Sequence, residues 1–396
     1  MIPMLQSSFP STNRAGCLCG VVLAIALSRE AGAQASERTF ISLLGRDTVS
    51  IERISSRKDV VVSDVVLRSP TVTRFRYEAH LEPTGRVRQL TVRKTILGPG
   101  AASGWTTAAL TFAGDSVVST KTVSDSTVTT RLRAEGAFPA GLSSLFDQEL
   151  VLVWLRRQNR HTANVPLIVV GQTNAWPERF DIGPGDSAHI GEPPNTLNVA
   201  LDARGLLRGV DGRQTTVKIV AHEVAGLDLD RAIQSFVASE RAGMGMARGV
   251  SPSATFDGTV GDARVTISYG RPSARGRDLW SHGVLGDTLW RTGANAATVF
   301  ETSRDLIVGG SRLPAGKYSL WTHIAPLSST YELRFNGQSG QWGTEYHPER
   351  DVLRVPMVME SLASPVEQLT ISFENTNPSR LMIAWGSRRL AVPIAR

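Results

Sequence analysis

Polar and apolar residues alternate along most of the chain, most regularly over residues 39–222. Strict alternation is typical of strands that bury one face in an antiparallel sheet. The clearest hairpin joins residues 73–81 to residues 87–92 through Glu82-Pro83-Thr84-Gly85, in which proline and glycine suit a turn. Successive hairpins share no motif of fixed length, so the pattern predicts a meander sheet rather than a solenoid.

One segment of this region has a helical period instead of an alternating one. Apolar residues recur every three to four positions over residues 145–154, and Ser144 with Asp147 has the spacing of a capping pair. An amphipathic helix has to bury its apolar face, and an antiparallel meander sheet that curls over the helix buries both elements. The pattern therefore predicts an N-terminal domain over residues 36–240 that is open and half-barrel-like.

A second helix and a glycine-rich stretch follow these strands. The helix is predicted to begin near Asp228 or Asp230. Residues 241–250 then contain three glycines and two methionines and lead to Ser251-Pro252. Because glycine frees the backbone, we predict that residues 241–250 link the N-terminal domain to a second domain over residues 251–396.

The alternating pattern returns in this second domain, beginning with a hairpin around Val260-Gly261-Asp262. Four motifs follow in order: Tyr269-Gly270-Arg271-Pro272-Ser273, Arg275-Gly276-Arg277-Asp278-Leu279-Trp280, Leu289-Trp290-Arg291-Thr292-Gly293-Ala294-Asn295 and Leu313-Pro314-Ala315-Gly316. In this order and spacing they resemble the bacterial domain of unknown function family DUF2911 over about residues 251–394. The resemblance implies a secreted, antiparallel β-sandwich domain and no established activity. Residues 36–240 lie outside it.

The N-terminus has the features of an export signal. Arg14 precedes an apolar run over residues 16–27, which is as long as a signal-peptide core and too short to span a bilayer. Ala31-Gly32-Ala33 offers the small residues that signal peptidase needs. We therefore expect a signal peptide over residues 1–33, cleavage near Ala33 and a periplasmic or secreted protein; the alternative is an uncut N-terminal anchor. Both cysteines, Cys17 and Cys19, lie in the apolar run.

The composition of the chain limits the kinds of partner that we expect. Hydrophobic residues make up 41% of the 396 residues and charged residues 20%, which excludes a disordered chain. The chain has 43 basic and 36 acidic residues, which gives a net charge of +7. The basic residues form no dense stripe, so we expect no nucleic-acid partner. No later run approaches eighteen apolar residues, and we expect no transmembrane segment in the mature chain.

The motifs of the second domain contain a candidate binding site. Guanidinium groups are permanently charged donors suited to carboxylate, phosphate or sulfate, and aromatic faces beside them suit a sugar ring. The candidate ligand-binding residues are Arg271, Arg277, Trp290, Arg291, Asn295 and Trp321. The alternative is structural: tryptophans fill the core, and the arginines satisfy loop carbonyls or pair with Asp278, Asp287 or Glu301.

Catalytic motifs are incomplete in this chain. His222-Glu223 resembles the start of a zincin motif, but Gly226 stands where its second histidine belongs. The sequence also lacks a Gly-x-Ser-x-Gly elbow. We therefore expect no catalytic residue, metal or cofactor, and favour a non-catalytic protein that binds an anionic or saccharide ligand or a protein partner in the envelope. The alternative is an extracytoplasmic hydrolase that uses His282, Glu301 or His323 with the arginines as stabilisers.

Overall fold

The structure, a computed structural model, describes residues 36–99, 104–141, 144–193, 195–246, 249–280, 284–285, 288–325 and 329–396. Within these ranges the chain is mainly β with two helices, which confirms the predicted fold class. The predicted signal peptide lies outside the described residues. Neither helix in the described ranges has the length and apolar composition needed to span a membrane.

The N-terminal strands form one open sheet, which consists of two meanders. Its strands in chain order are β1 (Ser36–Leu44), β2 (Asp47–Arg57), β3 (Val60–Leu67), β4 (Thr73–Leu81), β5 (Val87–Ile96), β6 (Trp105–Ala113), β7 (Ser116–Val123), β8 (Ser126–Arg133), β9 (Phe138–Pro139), β10 (Thr162–Ile168), β11 (Trp176–Ile182), β12 (Ser187–Ile190), β13 (Leu197–Leu201), β14 (Leu207–Asp211) and β15 (Ile219–Val224). One meander runs from β1 out to β8, and the other returns from β10 to β15, with β9 parallel to β10 at the far edge. The first and last strands, β1 and β15, pair antiparallel at the centre of the sheet. The predicted β4–β5 hairpin is confirmed.

Two helices cover the two faces of this sheet. Neighbouring side chains on a strand point to opposite faces, and on β3 Val65 belongs to the large core while Val66 belongs to a smaller one. Helix α1 (Phe146–Arg157) packs its apolar side into the large core, as the sequence predicted. Helix α2 (Leu229–Arg241) covers the smaller core on the other face. The sequence predicted this helix, but it did not predict which face of the sheet the helix covers.

The predicted capping pair at the start of α1 is wrong. The N-cap residue is Leu145, and no side chain of the helix caps it. Instead, the carboxylate of Glu52 on β2 accepts hydrogen bonds from the Ser144 hydroxyl (2.9 Å) and from the backbone N–H groups of Leu145 (2.6 Å) and Phe146 (3.1 Å). A carboxylate from a distant strand thus satisfies the free N–H groups at this helix end.

A buried ion pair attaches the middle of α1 to the first strand. The Arg38 guanidinium donates to both carboxylate oxygens of Glu149, at 2.8 and 2.6 Å, and the two side chains are only 6% and 8% exposed. The Leu207 N–H also donates to Glu149, and Arg38 donates to the Leu207 carbonyl. These bonds join β1, α1 and β14.

The C-terminal strands form two sheets that share one core, which confirms the predicted sandwich. The strands are β16 (Ser253–Val260), β17 (Ala263–Gly270), β18 (Thr288–Trp290), β19 (Thr298–Thr302), β20 (Leu306–Val308), β21 (Ser311–Leu313), β22 (Gly316–Ala325), β23 (Thr330–Asn336), β24 (Asp351–Pro356), β25 (Val358–Glu374) and β26 (Ser379–Ala395). One sheet has the order β16-β17-β19-β22-β23-β24, with β18 also on β22, and the other β21-β20-β26-β25. Phe300 and Phe335 from the first sheet and Leu369 and Trp385 from the second meet in the core.

The N-terminal and C-terminal strands are joined by direct contacts. Arg275 forms an ion pair with Asp47, and its carbonyl accepts a hydrogen bond from the Arg46 N–H at 2.9 Å. Met246, within the predicted linker, is buried in a small cluster with Leu44. The predicted domain boundary itself stays a prediction.

Candidate functional site

A cavity of about 910 Å³ lies where the two groups of strands meet. On the N-terminal side it is lined by strand ends, including Leu44 of β1 and Val49 of β2, and by the β14–β15 loop, residues 212–218. The C-terminal side supplies Arg277, Trp290, Arg291, Asn295 and Trp321. Five of the six residues predicted from the sequence therefore line the same cavity. Its volume is within the range of small-molecule sites.

Close backbone contacts hold the loop that carries Arg291 and Asn295. This loop connects β18 to β19, and a Cβ added to Gly270, at the end of β17, would lie 2.1 Å from the carbonyl oxygen of Ala294. A Cβ added to Gly343 would lie 1.8 Å from Cδ of Arg291. Glycine is required at both positions because no other residue leaves this space. Gly270, one of the motif residues, and Gly343 thus allow this loop to pack closely against its neighbours.

Arg277 and Arg291 are half-buried in the cavity wall. Arg277 donates to the carbonyl oxygens of Ala274 (3.0 Å) and Ser273 (2.6 Å), and its guanidinium lies 5.8 Å from the Trp385 ring centroid. Burial, with a contribution from the positive charge of Arg275, lowers the pKa of Arg277 to about 10. Burial also lowers the pKa of Arg291. Both groups remain cationic at neutral pH.

Neither arginine forms an ion pair with a carboxylate in the part of the chain that the structure describes, although the negative charge of Glu367 acts on Arg277. The ion pairs formed there include neither Arg277 nor Arg291, and Asp278 and Glu301 do not pair with them. Asp287, another partner considered from the sequence, lies outside the described residues. A half-buried guanidinium without a counter-ion is costly, so an anion that entered this cavity would be stabilised.

Arg271 is not part of the cavity wall. Its guanidinium donates to the Leu369 carbonyl (2.9 Å) and to the Thr370 hydroxyl (3.0 Å), both on β25. The side chain thus ties the end of β17 to the opposite sheet. This is the structural role that the sequence allowed as the alternative for the arginines.

The aromatic residues divide into buried and exposed ones. Trp290 is 8% exposed and stacks on Trp385 at 6.0 Å between ring centroids, and Trp321 is 2% exposed and packs against Tyr346 at 4.9 Å. These two predicted residues support the wall and present little surface to a ligand. Trp342, also on the wall, is 54% exposed and offers the open face.

The predicted site omitted Lys218, which lines the same cavity as the two arginines. Burial lowers its pKa, and the positive charges of Arg277 and Arg291 lower it further. Lys218 lies in the β14–β15 loop, and Asn195 and Gln214 line the same N-terminal side. No local motif marked Lys218, because it is one of five scattered lysines.

The residues of the hydrolase alternative are not brought together. Glu301 pairs with Lys317 across β19 and β22, while His323 lies six positions further along β22, about 20 Å away at the usual rise of a strand. His282 lies outside the described residues. Within the described ranges, no group of three or more histidine, cysteine or acidic side chains is placed to hold a metal ion.

Comparison with known proteins locates a family in one part of the chain. The DUF2911 family model, described as a protein of unknown function, matches residues 251–394. No curated protein matches the chain. The crystal structure of a DUF1089 family protein from Pseudomonas aeruginosa is similar, with 11% identity and a TM-score of 0.31 over 41% of this chain and 88% of that chain. The predicted resemblance is thus confirmed: the C-terminal region of this protein matches DUF2911, and its N-terminal region matches no family model.

Proposed function

We propose that this is an exported, non-catalytic binding protein whose ligand, an anion or a saccharide, occupies the cavity between the two groups of strands. The observation that carries the proposal is the convergence of Arg277, Arg291 and Asn295 on one cavity, with no carboxylate paired to either arginine in the described ranges. Uncompensated guanidinium groups in a concave, partly apolar wall are a basis for recognising an anionic ligand.

Two unsatisfied donors in the cavity wall support the same proposal. Nε of Arg291 and Nε1 of Trp385 are buried and have no hydrogen-bond partner within the described residues. A buried N–H group without an acceptor costs about 1–3 kcal/mol. An oxygen atom of a ligand or of an ordered water that reached these groups would recover that energy.

Replacement of Arg291 tests the proposal. We expect Arg291→Gln to weaken binding of anionic or saccharide ligands about tenfold or more, because a charge-assisted hydrogen bond is lost. Isothermal titration and thermal shift, with a panel of oxyanions and saccharides, measure this. Arg388→Gln removes an exposed arginine of the same region and should change neither readout.

The outcomes separate binding from folding. If no member of the panel stabilises the wild-type protein against heat, the proposed function is wrong. Equal binding by the wild type and a folded Arg291→Gln variant would show that the arginine does not contact the ligand. Circular dichroism of each variant checks that it is folded.

A further inference from the structure

We infer that the ligand is an acidic saccharide whose anionic group is held between Lys218 of the N-terminal region and the Arg277–Arg291 pair of the C-terminal region. This inference rests on the function proposed above and adds its ligand class and a third cation. The site would then be incomplete in either region alone.

The β14–β15 loop holds Lys218 in a defined place. The buried Thr215 hydroxyl donates to the Gly212 carbonyl (2.8 Å) and accepts from the N–H groups of Val217 (3.2 Å) and Lys218 (3.4 Å). Lys218 itself has a φ of +60°, a conformation that non-glycine residues rarely adopt. Its ammonium group donates to the Arg213 carbonyl at 2.9 Å, which leaves two further N–H bonds for a ligand.

Three cations in one cavity require an anionic partner. No ion pair within the described ranges includes Lys218, Arg277 or Arg291. Glu367 is the acid that influences Arg277, and one of its carboxylate oxygens already accepts the Arg275 N–H at 2.9 Å. A carboxylate, sulfate or phosphate placed among the three cations would offset the repulsion that the two arginines exert on Lys218.

The cavity is larger than a simple oxyanion needs, and neutral polar residues line part of it. A volume of about 910 Å³ suits a ligand of two or three rings. Its exposed neutral polar residues are Asn195, Gln214, Thr216, Asn295 and Thr344. Amide and hydroxyl groups pair with sugar hydroxyls, and the exposed face of Trp342 can stack on a sugar ring.

The apolar part of the wall contains buried and partly buried aliphatic side chains, and the partly buried ones are Leu67, Ile219, Val250, Val284 and Leu289. Leu44 and Val49 are each 8% exposed and pack against Met246 in a cluster beneath the cavity, and Leu285 is 1% exposed. Val217 is the exposed aliphatic residue at the rim, at 59%. The surface that a ligand meets therefore combines apolar side chains with polar groups and one exposed aromatic face.

The test compares acidic saccharides with matched neutral ones on the full mature chain. The probes are di- and trisaccharides that carry uronic acid, sulfate or phosphate groups, the neutral counterpart of each, inorganic phosphate, and decanoate. We expect at least one acidic saccharide to bind at least tenfold more tightly than its neutral counterpart and than inorganic phosphate in isothermal titration. Lys218→Gln should weaken that acidic saccharide about tenfold and leave the neutral one unchanged.

A second lysine in a comparable turn provides the control. Lys58, between β2 and β3, is exposed and also has a positive φ, +46°. Lys58→Gln should leave every affinity unchanged. A loss of acidic-saccharide binding in Lys58→Gln equal to that in Lys218→Gln would show a general charge effect and overturn the inference.

The remaining outcomes distinguish this inference from the proposed function. If neutral and acidic saccharides bind equally, or if Lys218→Gln changes nothing, the cavity binds a ligand but the inference is wrong. Preferential binding of decanoate or of phosphate alone also overturns it. If none of the probes binds, both the inference and the proposed function fail.

Discussion

Replacing Arg38 with methionine is expected to lower the free energy of unfolding by about 3–5 kcal/mol. The substitution leaves the Glu149 carboxylate buried without its cation, with the Leu207 N–H as a remaining donor at 2.8 Å. An uncompensated buried charge is costly, and this one anchors α1 to the N-terminal sheet. Urea unfolding followed by circular dichroism at neutral pH measures the loss.

Two variants control for this prediction. Arg133→Met breaks an ion pair with Asp115 in which both side chains are at least half exposed, and it should change stability by less than about 1 kcal/mol. Arg38→Met combined with Glu149→Met removes both charges and should recover most of the loss. If Arg38→Met is no more destabilising than Arg133→Met, the buried pair does not anchor the helix.

Asp147→Asn is expected to stabilise the protein increasingly as the pH rises from about 4 to about 8. Burial, assisted by the nearby negative charge of Glu52, raises the pKa of Asp147 from 3.8 to about 8. Between these values the folded protein binds a proton that the unfolded chain has lost, so the wild type becomes less stable as the pH rises. Asparagine has no proton to lose, and the variant should gain about 5 kcal/mol at pH 8.

The pH profile of Asp147→Asn has a matched control, Asp230→Asn, and a second contributor, Glu52. Asp230 occupies the second position of α2, as Asp147 does in α1, but it is exposed. Asp230→Asn should leave the profile unchanged. Burial also raises the pKa of Glu52, so a smaller slope of the same sign should remain in Asp147→Asn. Parallel wild-type and Asp147→Asn profiles from pH 4 to pH 8 would contradict the prediction.

The start of α1 shows why local patterns mislead at some positions. Ser144 and Asp147 have the spacing of a capping pair, yet Glu52, more than ninety residues earlier, caps the helix. The Ser144 hydroxyl donates to the same carboxylate. A spacing rule considers only neighbours in the chain, whereas the buried N–H groups bind whichever acceptor the tertiary structure places there.

The sequence alone determined the strands, the two helices and the DUF2911 region, because alternation, helical period and turn residues are local properties of the backbone. Only the tertiary structure decided which loops meet. Strand β15 pairs with β1, and Arg275 with Asp47, although about 175 residues or more separate the partners of each pair, and these long-range contacts create the cavity. They bring Lys218 to Arg277 and Arg291 while Arg271 binds β25 instead. Side-chain chemistry could therefore be proposed from the sequence, but its convergence depends on contacts between residues that no local pattern connects.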